Sequence, residues 1–180
     1  EVSGKTAILS ADQTSYTFDK LPKYQSDGKT EIEHSIEEPT KIAGYTSSVE
    51  EKEARKFTVT NAYSATGTLN LEAEKKFKNG KLKEGEFTFE LMDADGKVLQ
   101  SKTNDAAGKV AFDEIEYKLS DVAKAPFTYT VREVPGSRTD VKYDATVYTV
   151  TVELKDKGDE TLEVTKKIDN GGALKFENEQ

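Results

Sequence analysis

Apolar and polar residues alternate one by one along most of this 180-residue chain. A period of two belongs to extended strands, whose successive side chains point to opposite faces. The runs are 15–18, 31–38, 56–61, 68–77, 86–91, 98–101, 127–133, 141–154, 161–168 and 174–178. Thr, Val, Tyr and Phe dominate them, the residues that a pleated and half-buried surface favours. Turn signals separate the runs: Asp27-Gly28, Asn79-Gly80, Asp95-Gly96, Ala107-Gly108 and Asn170-Gly171. Only residues 119–124 read as a helical turn. Many short strands at even spacing predict an all-β chain made of β-sandwiches.

The strand 57–61 ends at a short connector, Ala62-Tyr63-Ser64-Ala65-Thr66-Gly67, and predicts two modules, 1–62 and 63–180. The second has a normal length for one sandwich, whereas the first is short for a complete one. A net charge of −8 argues against nucleic acid, whose phosphates call for an excess of Lys and Arg, and against anionic membrane surfaces. No apolar run is long enough to span a bilayer. The chain starts at Glu1 without a leader-like run, which predicts a fragment of a mature protein. Cysteine is absent, so stability must come from the core or from a covalent tie other than a disulfide.

Polar residues interrupt the apolar faces at three places. Lys75 shares parity with Leu71, Ala73 and Phe77; Glu133 continues the face of Phe127, Tyr129 and Val131; Asn178 continues that of Leu174 and Phe176. Each can be read as a strand end opening to water, and the Lys and Glu also as a buried ion pair. Together an amine, an acid and a carboxamide also permit a self-made amide bond. A buried Lys loses its charge readily and becomes a nucleophile. A buried carboxyl can carry protons to a leaving ammonia, and the fold would hold the reactants together.

Other chemistry finds little support. Asp93-Ala94-Asp95-Gly96 has calcium-loop character but reads better as a hairpin turn. His34 is the single His, so His-based metal clusters are excluded, and its mid-strand position predicts a core-facing or interface aromatic. The charged run 50–56 reads as a solvated loop. No phosphate loop or dinucleotide fingerprint is present, and nothing singles out a carboxylate pair for glycoside hydrolysis.

The segment Leu82-Lys83-Glu84-Gly85-Glu86-Phe87-Thr88-Phe89-Glu90-Leu91 resembles a signature of the streptococcal backbone-pilin (FctA-like) isopeptide-linkage domain. So do 101–112, the strand ending Tyr129-Thr130-Val131-Arg132-Glu133, and the closing Phe176-Glu177-Asn178. The resemblance implies an immunoglobulin-like sandwich in which a first-strand Lys is joined to a last-strand Asn with help from a Glu. Those roles fall on Lys75, Asn178 and Glu133, with Lys76 in place of Lys75 if the register slips by one.

The first module resembles the collagen-adhesin B-type (Cna-B) domain through 16–24, 32–38, 44–49 and 57–61. That resemblance implies Glu38 as the assisting acid and Asn61 as the cross-linked amide. The family's Lys lies in an opening strand that this chain lacks, and Lys5 matches a later strand, so a partner for Asn61 is expected to be missing. The two resemblances together imply immunoglobulin-like domains in tandem, in a Gram-positive pilin or adhesin stalk at the extracellular cell wall or pilus surface. Its expected partners are neighbouring domains or pilin subunits, with a host matrix protein or glycan as the alternative. No enzymatic turnover, cofactor or metal is implied.

Overall fold

The computed structural model describes residues 4–180. Its strands are β1 (Tyr45–Glu53), β2 (Lys56–Tyr63), β3 (Thr66–Leu69), β4 (Glu72–Lys78), β5 (Thr88–Met92) and β6 (Val98–Thr103). They continue with β7 (Lys109–Ala111), β8 (Ile115–Lys118), β9 (Phe127–Val134), β10 (Val147–Asp156), β11 (Leu162–Ile168) and β12 (Leu174–Glu179). One 3₁₀ turn, Leu119–Lys124, lies where the sequence predicts a helical turn. The described residues form two compact units. One unit holds the described residues up to Glu38 together with Val49–Val59; the other holds Pro39–Ser48 and Thr60–Gln180.

The larger unit is the sandwich that the alternation predicts. A five-stranded sheet of order β11-β10-β9-β5-β6 faces a three-stranded sheet of order β12-β4-β7, and β3 pairs with β8 beside them. Inward residues from both sheets form one core, including Leu71, Phe89, Val131, Val150 and Phe176. Rings meet between the sheets: Phe176 of β12 lies 5.1 Å from Phe89 of β5 and 5.1 Å from Tyr148 of β10. Strand β12 runs parallel to β4, with Phe176 opposite Lys75, so the last strand lies beside an early one.

Several strand limits differ from the sequence reading. The run 68–77 splits at Asn70-Leu71, where the chain passes from the β8 ladder to those of β7 and β12 while the alternation of burial continues through Leu69 and Leu71. The run 141–154 is regular only from Val147, its first residues forming a loop. Strands β7 and β8, too short to show a period, are additional. The charged run 50–56 belongs to the β1–β2 hairpin rather than to a loop. Its turn is closed by Arg55, at φ 67°, whose N–H donates to the Glu51 carboxylate at 2.8 Å. The Asp93 loop is the β5–β6 turn: its carboxylate accepts the N–H groups of Asp95 and Lys97.

In the smaller unit the expected strands 15–18 and 31–38 do not form; a single bridge joins Tyr24 and Glu31. The alternation persists in Ile32, His34 and Ile36, which are half-buried between exposed neighbours. A strand is defined by its partner, and a short run without one is not held in a ladder. Among described residues 4–64 none is buried. The stability of this chain therefore resides in the sandwich. Phe89→Ala, removing a fully buried ring, is expected to cost about 3–5 kcal/mol. Ile8→Ala, at a side chain 90% exposed, should change stability by less than about 0.5 kcal/mol. Urea unfolding of both variants checks this; equal losses would contradict the placement of the core.

Candidate functional site

Two packed sheets stand about 10 Å apart, a gap that a long side chain from each can close. Lys75 points inward from β4 and Glu133 inward from β9, where it pairs with Phe89 of β5. Their side chains are wholly shielded from solvent, and the Lys75 amine lies 2.6 Å from Glu133 Oε2. Asn178 sits on β12, two residues beyond the partner of Lys75 and on the same face. Its Nδ2 donates to Glu133 Oε1 at 2.6 Å, and the residue is 0% exposed. One carboxyl group thus holds the amine on one oxygen and the carboxamide on the other.

The surroundings bias the pair toward its uncharged form. Burial pulls the Lys75 amine below its ordinary value, against the opposing pull of Glu133. Burial likewise raises the Glu133 carboxyl, against its hydrogen bonds from Lys75 and Asn178. Phe87 and Phe89 present rings 4.7 and 5.9 Å from the amine, which moderates the cost of whatever charge remains. A proton can pass between Nζ and Oε2 without moving either side chain.

Three further residues support the site, and the parity argument did not single them out. Asn104 is 1% exposed; its Oδ1 accepts the Phe87 N–H at 2.9 Å and its Nδ2 donates to the Lys83 and Asp105 carbonyls. It fixes the segment that carries the Phe87 ring. Gly108, at φ 91°, packs on the Lys75 backbone, and a Cβ there would lie 2.1 Å from the Lys75 carbonyl oxygen. Asp144 donates its N–H to Asn178 Oδ1 at 2.8 Å. Burial works against its charged form, but hydrogen bonds from Thr146 and from the Glu177 N–H together hold its carboxyl below the ordinary value. A sequence signal for Asp144 did exist: the apolar parity shifts from odd at Val141 and Tyr143 to even at Tyr148 and Val150.

The other expected site residues lie elsewhere. Lys76 faces outward, within 3.5 Å of Glu74, so the register that selects Lys75 is the one formed. Glu38 and Asn61 are both exposed, and Lys5, also exposed, donates to the Asp19 carbonyl at 2.7 Å. The enclosure that surrounds Lys75 has no counterpart around them. His34 is half-buried rather than in a strand, and both ring nitrogens are shielded without a hydrogen-bond partner. Among the described residues no group of three His, Cys, Asp or Glu is placed to hold a metal ion, and no helix is long and apolar enough to cross a membrane.

An immunoglobulin-like sandwich with a Lys, a Glu and an Asn sealed between its sheets defines a class of module. Residues 71–180 match the FctA family, described as the Spy0128-like isopeptide containing domain, and the chain belongs to that family. Residues 1–62 match the Cna protein B-type domain, which precedes it. Among solved structures, the chain is similar to a mutant of the major pilin from Streptococcus pyogenes, at 15% identity and a TM-score of 0.34. That match covers 62% of this chain and 50% of the pilin, so the chain spans half the length of that relative. No curated protein matches the chain.

The buried pair also has an energetic signature. Glu133→Ala leaves the amine unpaired in an apolar site and is expected to destabilise the fold by about 3–5 kcal/mol. The double variant Lys75→Met, Glu133→Leu removes both ionisable groups and should be more stable than Glu133→Ala, in which the buried amine remains unpaired. Denaturant unfolding of the two proteins compares them directly. A double variant no more stable than the single one would mean that the amine is not enclosed.

Proposed function

We propose that this chain is a structural module of a Gram-positive pilus shaft, tied internally by an isopeptide bond between Lys75 and Asn178 that it makes itself. The observation that carries this reading is the bridging of the Lys75 amine and the Asn178 carboxamide by the two oxygens of Glu133. The steps follow from that arrangement. Lys75 gives a proton to Glu133 Oε2, and the neutral amine attacks Asn178 Cγ. Glu133 then passes a proton to Nδ2 and receives one from the newly bonded Nζ. The Cγ–Nδ2 bond breaks, ammonia leaves as a neutral molecule, and Glu133 ends protonated, the form that its burial favours. The site acts once and does not turn over, so the chain is not an enzyme in the ordinary sense.

The sheet order supports a mechanical role. Strands β4 and β12 lie side by side near the two ends of the sandwich unit, and a Lys75–Asn178 bond joins them. Tension between the ends would pass through that bond and bypass residues 76–177. If the tie acts as a disulfide across a loop of roughly 100 residues would, it stabilises by about 4–5 kcal/mol. Its partners are the neighbouring domains and pilin subunits of a surface assembly at the cell wall. A family match to a pilin-type domain following a Cna B-type domain fits that setting.

Intact mass of the denatured chain tests the bond. The parent is expected to fall short of its sequence mass by one ammonia, and Lys75→Ala and Asn178→Ala should each show the full mass. A parent of full mass would sink the proposal. The reaction should also depend on pH in a way set by the shared proton. In acid the pair takes up a second proton and the amine is blocked; in base it gives up its last proton and no acid remains. Ammonia loss during refolding of unlinked chain is therefore expected to fall away on both sides of a plateau. A rate that climbs steadily with pH would exclude Glu133 as the proton carrier.

A further inference from the structure

An amide attacked at its carbon gathers negative charge on its oxygen, and donors placed at that oxygen speed the reaction. At Asn178 the donor is main chain. The N–H of Asp144 reaches Oδ1 at 2.8 Å, opposite the Nδ2 that donates to Glu133. Asp144 lies in the loop before β10, and this loop is fastened to β12 on both sides of Asn178. Its Oδ2 accepts the Glu177 N–H at 2.8 Å, while Lys142 and Glu179 exchange backbone hydrogen bonds at 2.8 and 3.2 Å. Its Oδ1 accepts the Thr146 N–H at 2.9 Å, which closes the loop on itself.

We infer that the backbone N–H of Asp144 is the oxyanion donor of the cross-linking reaction, and that the Asp144 carboxylate is a positioning group holding that N–H on the Asn178 oxygen. The inference rests on the isopeptide reading above. As the Nζ–Cγ bond forms, the carbonyl π pair moves onto Oδ1 and the N–H bond to it strengthens. When the pair returns, the Cγ–Nδ2 bond breaks and ammonia departs. The same donor fixes which way the carboxamide faces. With Oδ1 on Asp144, Nδ2 must lie on Glu133, the group that protonates it. A flipped amide would set Nδ2 against the Asp144 N–H, donor against donor. The charge of the Asp144 carboxylate would oppose an anion at Oδ1, but it is engaged by two backbone donors, Glu177 N–H and Thr146 N–H.

The test changes one atom. The full chain is made by cell-free translation with the α-hydroxy analogue of aspartate at position 144, which replaces the N–H by an ester oxygen and keeps the side chain. Intact mass of samples quenched over time follows ammonia loss. Relative to the parent, loss is expected to slow by about 10²–10³-fold; a rate equal to the parent's overturns the assignment. A parent that loses no ammonia sinks the isopeptide reading and this inference together. A parent that links while the ester chain links equally fast sinks only the inference.

A second measurement applies if the ester chain does not fold. In isotope-labelled Lys75→Met protein, which cannot react, NMR should show coupling across the hydrogen bond between the Asp144 backbone nitrogen and Asn178 Cγ. Asp144→Ala in that background should abolish the coupling while the core remains folded. A folded Lys75→Met protein without the coupling, or one that keeps it after Asp144→Ala, overturns the donor or the positioning role respectively.

Discussion

An amine and a carboxyl can lie in the middle of a β-sandwich only because each satisfies the other. Lys75 alone between Phe87 and Phe89 would be a buried charge without a partner, one of the most costly arrangements a core can hold. Glu133 alone would be nearly as unfavourable. Their contact at 2.6 Å removes both difficulties, and the Asn178 carboxamide occupies the carboxyl oxygen that the amine leaves open. The register of three strands follows from this requirement. A slip of one residue in β4 would send Lys75 to solvent and Lys76 inward, and the constellation would be lost.

Glycine and loop positions that look unrelated to the chemistry protect that register. Gly108 allows β7 and its approach to lie directly on the Lys75 backbone, where its carbonyl accepts the Lys75 N–H at 2.6 Å. Asn104 ties the Phe87 strand start, and Asp144 ties β12 from the far side. The three enclosed polar groups are therefore carried on regular strands and steadied by polar contacts from loops. Precise placement is what the proposed cross-linking would require of a buried ion pair.

Much of the sandwich was legible in the sequence because most of its strands alternate strictly enough to mark an inner face. That parity was sufficient to select Lys75, Glu133 and Asn178, since each breaks an otherwise apolar series. Asn104 escaped the same reasoning, as it acts from outside the strands, where no period exists to be broken; Asp144 sits where the apolar parity of 141–154 shifts, which marks a break in the strand but not its contact with Asn178. Strands β7 and β8 escaped because three or four residues cannot display a period. In the smaller unit the alternation is present without a ladder. Ile32, His34 and Ile36 alternate as a strand would, yet no ladder forms there, because alternation describes a face and says nothing about what will pair beside it.

What the sequence by itself determined is the class of the fold and the identity of the inward polar groups, because both are written in a period of two. Adjacency it could not determine. Lys75 and Asn178 are separated by most of the module, and only the parallel pairing of β4 with β12 makes them neighbours. The facing of β9 across the core then places Glu133 between them. Strand neighbours are chosen by the packing of whole sheets, a property of the assembled core that no local run of residues contains.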